Sequence, residues 1–362
     1  MMNIYTIHID KEIIELPTIA DVAKHAGVSM MTVSRVINKN EHVSVKTRER
    51  VMRAIEELSY RPNMVARSLA TRRNQMIAYV VSNLANPFFA EVSMGVENVC
   101  VEKGYTVIIY DVTDERRLEA CLDMLIDRRL DGVIFHHLNI SQAHVQLLQE
   151  NGVRCATIDN EHDLENVTMI DSDDYLGGRM AARHLIDRGH SRIGCIHGCY
   201  DARMLEKYET VEYIESFQRR IWWNRTQGFL AEMKEAGLEP VCMLEGRGTA
   251  RIGFATGRET LQHVLGLGDK RPTALYCEND LIALGVLSEC LEYDLAVPND
   301  IAIIGHDGLD VGMRLYPRVT TVRQPRYHMG ALAAEKLIDV IEKQIETERI
   351  VVQSDLFLGD TT

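Results

Sequence analysis

No stretch of this 362-residue chain approaches the roughly 20 consecutive apolar residues that a membrane-spanning helix requires, so no membrane partner is expected. The opening MMNIYTIHIDKEIIEL lacks a basic start followed by an unbroken apolar run, which argues against a secretory signal. Eight cysteines occur without one CxxC pair, a usage that suits a reducing cytoplasm and buried free thiols. GxGxxG, a Walker loop, HExxH and GxSxG are missing from any suitable context, so no catalytic machinery is visible and an enzyme is not expected. One spacing, Cys195-Ile-His197-Gly-Cys199, has the look of three metal ligands. It is better read as alternate residues of a buried strand, RIGCIHG, because no fourth ligand pair stands nearby. Neither a metal nor a cofactor is expected.

Positive charge is also scarce overall, and the formal net charge is −13, which taken alone argues against nucleic acid. The deficit is uneven. Residues 17–73 hold 11 Lys/Arg against 5 Asp/Glu, a balance of +6, so the remainder carries −19. A basic head on an acidic body is the asymmetry expected when only the head meets a polyanion. With 46% hydrophobic and 26% charged residues the composition is globular, and the length suits two or three domains.

The head reads as three short helices. Thr18 precedes IADVAKHA, whose apolar Ile19, Val22, Ala23 and Ala26 follow an i, i+3, i+4, i+7 pattern; Asp21 completes a variant of the capping box. Gly27 ends that helix, and Ser29 caps a second with Val33, Val36 and Ile37 inward. Two helices joined by a Gly-containing turn form a helix-turn-helix. A third helix from Ser44 is expected to bury Val45, Val51, Ile55 and Leu58. The second helix exposes Met30, Met31, Thr32, Ser34, Arg35 and Asn38. Arg35 can fork onto a guanine and the hydroxyls can bond phosphates, although a surface salt bridge would also account for Arg35. In YRPNMVARSLATRR, Asn63 can cap a helix to about Ala70, too short to persist alone in water; an ordinary linker is the alternative.

The ordered motifs TIADVAKHAGVS, TVSRVIN, YRPN and ARSL strongly resemble the headpiece of the lactose-repressor/galactose-repressor family, and the likeness continues to the end of the chain. The resemblance implies a transcriptional regulator, most simply a repressor, with the second helix in the major groove and Met30, Met31 and Arg35 at base-reading positions. It makes 63–70 a hinge helix, where Asn63 and Arg67 meet DNA and Leu69 wedges into the minor groove, bending the site. Thr18, Ser29, Thr32, Ser34 and Asn38 complete the expected DNA-binding set. A homodimer would read a near-palindromic double-stranded operator.

Beyond Arg73 the pattern alternates strands with helices. Candidate strands are 76–82, 105–111, 132–135 and 155–159, then 192–198, 273–277 and 301–307, with helices such as 88–103 and 115–128 between them. This is an α/β body of parallel sheets in two units. Ligands in such folds sit beyond the carboxyl ends of strands, which selects Asn83–Phe89, His136–His137, Asp159, the stretch after Gly198, Glu278–Asp280 and His306–Asp307. Phe88, Phe89, Asp159, Arg225, Asn279 and Asp307 form a set suited to a polyhydroxylated ligand. Asp307 could instead cap the next helix, and Phe89 could be core.

The body resembles the family's effector core, which is similar to periplasmic sugar-binding proteins. The likeness implies roles for Arg225 in RTQGF, Asn279 in ENDLIALG, Asp307 in GHD and Gln324 in RVTTVRQP. His306 departs from the usual aromatic. The implied layout is an extension at 1–16, a headpiece at 17–62, and a hinge and linker at 63–75. A first lobe of 76–171 with 324–351 and a second of 172–323 with 352–362 follow. A longer departure lies between Gly198 and Arg225, where residues recur every third position; an amphipathic helix over the cleft and a surface or dimer-packing helix both fit. The resulting expectation is a cytoplasmic dimeric regulator whose small effector, a sugar or sugar derivative in preference, reorients the lobes.

Overall fold

A computed structural model describes residues 17–37, 43–60, 73–112, 115–160, 162–197, 221–245 and 253–362. The chain divides into two compact units, 1–74 and 75–362.

In the first unit, helices α1 (Ile19–Ala26), α2 (Met30–Ile37) and α3 (Val45–Glu57) enclose one small core. Val22, Ala23, Ala26, Val33, Val36, Val51, Ala54 and Tyr60 form it, with Ile55 and Leu58 packed at its edge. The capping box forms as read: Thr18 N–H donates to Asp21 Oδ2 at 2.8 Å, and Asp21 N–H donates to Thr18 Oγ1 at 3.4 Å. Gly27 takes φ 61°, the left-handed conformation that closes α1. Ser29 accepts from Thr32 N–H at 3.2 Å and so starts α2. Val45 is not in the core; it is 72% exposed, because it sits at the first helical position beside its cap Ser44, and Ala54 takes the inward place.

The second unit holds two six-stranded sheets. One has the order β11-β5-β4-β3-β1-β2 and is parallel throughout. Its strands are β1 (Met76–Val81), β2 (Thr106–Asp111), β3 (Gly132–His136), β4 (Arg154–Ile158), β5 (Thr168–Ser172) and β11 (Arg349–Val352). The other has the order β12-β10-β9-β8-β6-β7, with only β12 antiparallel. It consists of β6 (Ile193–His197), β7 (Cys242–Glu245), β8 (Ala274–Cys277), β9 (Ala302–Asp307), β10 (Thr320–Arg323) and β12 (Asp355–Phe357). Ser172 and Val352 are thus the last residues of first-lobe strands, one residue past the boundaries drawn from the sequence.

Each sheet is covered on both faces, so its strands are buried runs whose side chains alternate between two cores. On β1, Ile77, Tyr79 and Val81 face helices α4 (Pro87–Glu102) and α12 (Arg326–Lys343). Ala78 and Val80 face α5 (Glu115–Asp127) and α6 (Gln142–Glu150). In the second lobe Cys195, Tyr276 and Ile304 face α7 (Asp174–Asp187) and α8 (Ile221–Glu235). Leu275, Cys277 and Ile303 face α9 (Phe254–Gly266) and α10 (Asp280–Glu292). The α7–α8 crossing is closed by paired glycines: a methyl on Gly178 would lie 2.0 Å from Arg225 O, and one on Gly228 would lie 1.9 Å from Tyr175 O. That approach fixes where Arg225 enters the second lobe. The chain passes between lobes at 172–174, 323–326 and 352–355, and these passages are bonded together, as where Asp173 N–H donates to Val352 O at 3.2 Å.

Candidate functional site

On α2 the apolar pattern buries Val33 and Val36, which leaves Met30 and Met31 at 55% and 65% exposure. Arg35 is exposed one turn beyond Met31 and makes no ion pair among the described residues. Ser29 Oγ and Thr32 Oγ1 lie 2.9 Å apart, so both hydroxyls sit at the helix start with the orphan N–H groups. Thr18 spends its hydroxyl on Asp21 at 2.7 Å. Ser34 is half-buried. Asn38, Asn63, Arg67 and Leu69, with the expected hinge helix, lie outside the described residues.

In the second unit, strand ends from both sheets and the head of α7 converge on a buried polar cluster. Arg225, on α8, donates Nε–H to Asp174 Oδ1 at 2.7 Å, Nη1–H to Asp307 Oδ1 at 3.0 Å and again to Glu278 O at 2.6 Å. Gln324 Nε2 donates to the same Asp307 oxygen at 3.2 Å. Asp159, ending β4, accepts from Ser172 N–H at 2.9 Å and has Ser172 Oγ at 3.2 Å; that hydroxyl is also 3.1 Å from Asp174 Oδ2. Asp307 therefore does not cap the helix that follows it; its carboxylate faces Arg225 and Gln324. That helix starts without a side-chain cap, and Asp280 Oδ2 accepts from the N–H of Leu309 just ahead of it.

Each lobe contributes a tyrosine–histidine pair. Tyr79 Oη is 2.6 Å from His136 Nδ1, and Tyr276 Oη is 2.9 Å from His306 Nδ1. The far nitrogens, His136 Nε2 and His306 Nε2, have no hydrogen-bond partner among the described residues. They stand 3.9 Å from Asp159 Oδ2 and Asp174 Oδ1 respectively. Gly177 makes room for the second imidazole, since a methyl there would lie 2.6 Å from His306 Cε1. His306, which departs from the family's usual aromatic, is fully buried and offers a nitrogen. Phe89 meets His136 edge-on at 4.7 Å and Phe88 approaches it at 5.7 Å, while both belong to the first-lobe core. Phe89 is thus a core residue that also touches a strand-end imidazole. Asn279 uses its Oδ1 to cap α10, accepting from Ile282 N–H at 2.8 Å, which leaves only its amide N–H groups for other partners.

Burial dominates the electrostatics. It raises the carboxyl of Asp159, and carries Asp174 up to about 7 and Asp307 to about 6 even though Arg225 pulls both down. It pushes His136 down to about 3 and His306 well below the usual imidazole range, so both rings are neutral. The backbone is strained at the same place: Asp159, His137 and Asp307 adopt φ of 50°, 53° and 112° at the ends of β4, β3 and β9.

The strand-end rule finds His136, Asp159 and His306–Asp307. It misses Asp174 and Ser172, because the five-residue strand TMIDS is too short to show a strand period in the sequence. Tyr79 and Tyr276 read as core residues, and nothing local marks them otherwise. Cys195 is fully buried with its thiol pushed well up by burial. Its supposed co-ligand Cys199 lies outside the described residues, as does most of the 199–224 insertion. Among the described residues no group of three or more metal-ligating side chains comes together.

Comparison with known proteins places this geometry. Residues 18–63 match the bacterial regulatory proteins of the lacI family, and 182–362 match the periplasmic binding protein-like domain. The HTH-type transcriptional repressor PurR of Aliivibrio salmonicida is 34% identical over 339 residues, covering 92% of this chain and 95% of that protein. The ribose operon repressor of Escherichia coli is 33% identical over 348 residues, covering 92% and 96%. A solved complex of the transcriptional regulator CelR with cellobiose aligns with a TM-score of 0.68 and 30% identity, covering 96% of this chain and all of that one. The relatives are repressors rather than enzymes. With a capped helix-turn-helix at its head and a two-lobed periplasmic-binding-protein-like body behind it, the chain belongs to the LacI family of DNA-binding transcriptional regulators.

Proposed function

We infer that this regulator is a cytoplasmic homodimeric repressor that reads a near-palindromic operator and answers to a small polyhydroxylated metabolite, a carbohydrate in preference, held between the two lobes. The observation that carries the reading is the buried set Asp159, Asp174, Arg225 and Asp307 around two neutral imidazoles whose Nε2 atoms have no hydrogen-bond partner among the described residues. A sugar hydroxyl both donates and accepts, so it can satisfy a carboxylate and an imidazole nitrogen at once, while its C–H face packs on a ring such as Phe88 or Phe89. Two relatives are named for sugars, ribose and cellobiose, which supports the same class. That no helix among the described residues is long and apolar enough to cross a membrane accords with a cytoplasmic place of action.

At the DNA, Met30, Met31 and Arg35 would meet base edges, and Thr18, Ser29, Thr32 and Ser34 would meet phosphates from the helix starts. Asn38, Asn63, Arg67 and Leu69 join this set on sequence grounds. An effector that binds one arrangement of the lobes more tightly shifts their equilibrium, and operator must then shift effector affinity by the same factor. The test is fluorescence anisotropy of the full chain on a series of near-palindromic duplexes, with and without sugars, purines and sugar phosphates. A change in operator affinity with a sugar, in either direction, is expected. Absence of duplex binding even at low salt, where phosphate contacts are strongest, sinks the DNA-reading assignment. Operator affinity indifferent to every sugar sinks the carbohydrate assignment.

A further inference from the structure

Among the described residues the cleft has more carboxylates than cations to meet them. Asp159, Asp174 and Asp307 face one described guanidinium, and the ion pairs of Arg225 among the described residues are with Asp174 and Asp307. No Arg or Lys ion pair reaches Asp159 among the described residues; His136 Nε2 stands 3.9 Å from its Oδ2. The remaining nearby cations are engaged elsewhere: Arg326 with Glu91 and the Asp307 and Gly308 carbonyls, Arg349 with Asp163 and Asp171.

A proton count sharpens the imbalance. Ser172 Oγ lies 3.2 Å from Asp159 Oδ1 and 3.1 Å from Asp174 Oδ2, yet a hydroxyl has one proton to donate. It can satisfy one of those carboxylate oxygens, and the other contact needs a second proton, from the carboxyl itself or from a ligand. Asp159 Oδ2 also accepts no hydrogen bond among the described residues that comes within 3.5 Å. Beside this pair stand the unpartnered Nε2 atoms of His136 and His306, on fully buried rings. A neutral hydroxyl ligand would satisfy the imidazoles but bring no charge to offset the carboxylates, and an unpaired buried charge is costly. A phosphorylated ligand would add to the excess.

We propose that the effector carries a protonated amine among its hydroxyls, an amino sugar or amino polyol, with the ammonium seated between Asp159 and Asp174 and hydroxyls at His136 Nε2 and His306 Nε2. This rests on the cleft being the effector site. An ammonium brings three donors and a compact charge, enough for Asp159 Oδ2, Asp174 Oδ2 and one ligand-side or backbone acceptor. Burial carries the Asp174 carboxyl up to about 7, so it is partly protonated at neutral pH; it gives up that proton as the ammonium arrives, and binding releases protons to solvent.

Isothermal titration calorimetry of the full chain tests this with glucosamine, galactosamine and mannosamine, each beside its neutral parent hexose and that hexose's 6-phosphate. At least one amine is expected to bind about tenfold or more tightly than its parent, with proton release seen as a buffer-dependent heat. Asp159→Asn is expected to weaken binding of the amine at least tenfold more than binding of the parent, so that the preference is lost, with effector-free operator binding reporting that the variant folds; if it does not fold, Asp174→Asn serves, since Asn keeps the acceptor for Arg225. Equal binding of amine and parent overturns the proposal and leaves the carbohydrate reading standing. A preference for the 6-phosphate overturns the proposal as well. Binding of none, with operator binding intact, overturns both.

Discussion

Gly228→Ala tests whether the α7–α8 crossing positions the cleft. The added methyl carbon would lie 1.9 Å from Tyr175 O, 2.8 Å from Tyr175 C and 3.1 Å from Arg179 N, all backbone atoms that no rotamer change can move. Restoring an ordinary 3.4 Å contact requires the helices to part by about 1.5 Å. Arg225 sits one turn earlier on α8, and its 2.7 Å bond to Asp174 on α7 would stretch toward about 4 Å, beyond hydrogen-bond range. Overpacking of this kind costs about 1–3 kcal/mol, and loosening a buried charged pair places the loss at the upper end, about 3 kcal/mol. Both tryptophans, Trp222 and Trp223, lie at the start of α8, so tryptophan fluorescence in urea reports this lobe. With a slope near 3 kcal/mol/M the midpoint should fall by about 1 M. Gly266→Ala is the control, because a methyl there meets nothing within 4 Å; it should be neutral or stabilising by less than about 1 kcal/mol. A Gly228→Ala midpoint within about 0.2 M of the parent refutes the argument that this contact sets the position of Arg225.

Arg225→Met should destabilise the second lobe by about 3–5 kcal/mol in urea at pH 8, because two buried carboxylates lose their cation; recovery of much of that loss at pH 6 is expected, and equal loss at both pH values contradicts it. Thermal stability should fall as pH rises from 6.5 to 8.5. Burial raises Asp280 to about 8, Asp174 to about 7 and Asp171 to about 6, so the folded chain holds protons that the unfolded chain has already released. His136 and His306, lowered by burial, add an opposing slope only below about pH 6.5. Asp174→Asn should flatten the alkaline slope, and a melting temperature that climbs from pH 6.5 to 8.5 would falsify the assignment. At the other end of the molecule, Met31→Gln should change the preferred base at one half-site position while leaving nonspecific binding nearly constant, as read by binding to a randomised duplex pool. An unaltered preference returns Met31 to an ordinary surface residue.

The headpiece was almost fully legible because its determinants are local. Thr18, Asp21, Gly27 and Ser29 act within four residues of themselves, and a 3.6-residue period sorts Val33 and Val36 from Met30 and Met31. Val45 is the exception, since periodicity does not know that a first-turn residue hangs over the end of the core. The alternation of strands and helices likewise announced two parallel sheets, and the strand-end rule reached Asp159 and Asp307 without any knowledge of distance. Short strands such as Thr168–Ser172 carry too few residues to show a period, and with them Asp174 and Ser172 were lost.

What the sequence determined alone was each element, its caps and the residues at its ends, because those follow from interactions a few positions apart. Only the tertiary structure decided who faces whom. Asp174 and Arg225 are 51 residues apart and Arg225 and Asp307 are 82 apart, yet they share hydrogen bonds of 2.7 Å and 3.0 Å. Tyr79 and Tyr276 look like core in the sequence, and in the fold each holds a histidine with one nitrogen left over. No local rule encodes a carboxylate's distance from a guanidinium or the absence of a proton donor; helix crossings at paired glycines and the order of strands in two sheets set both.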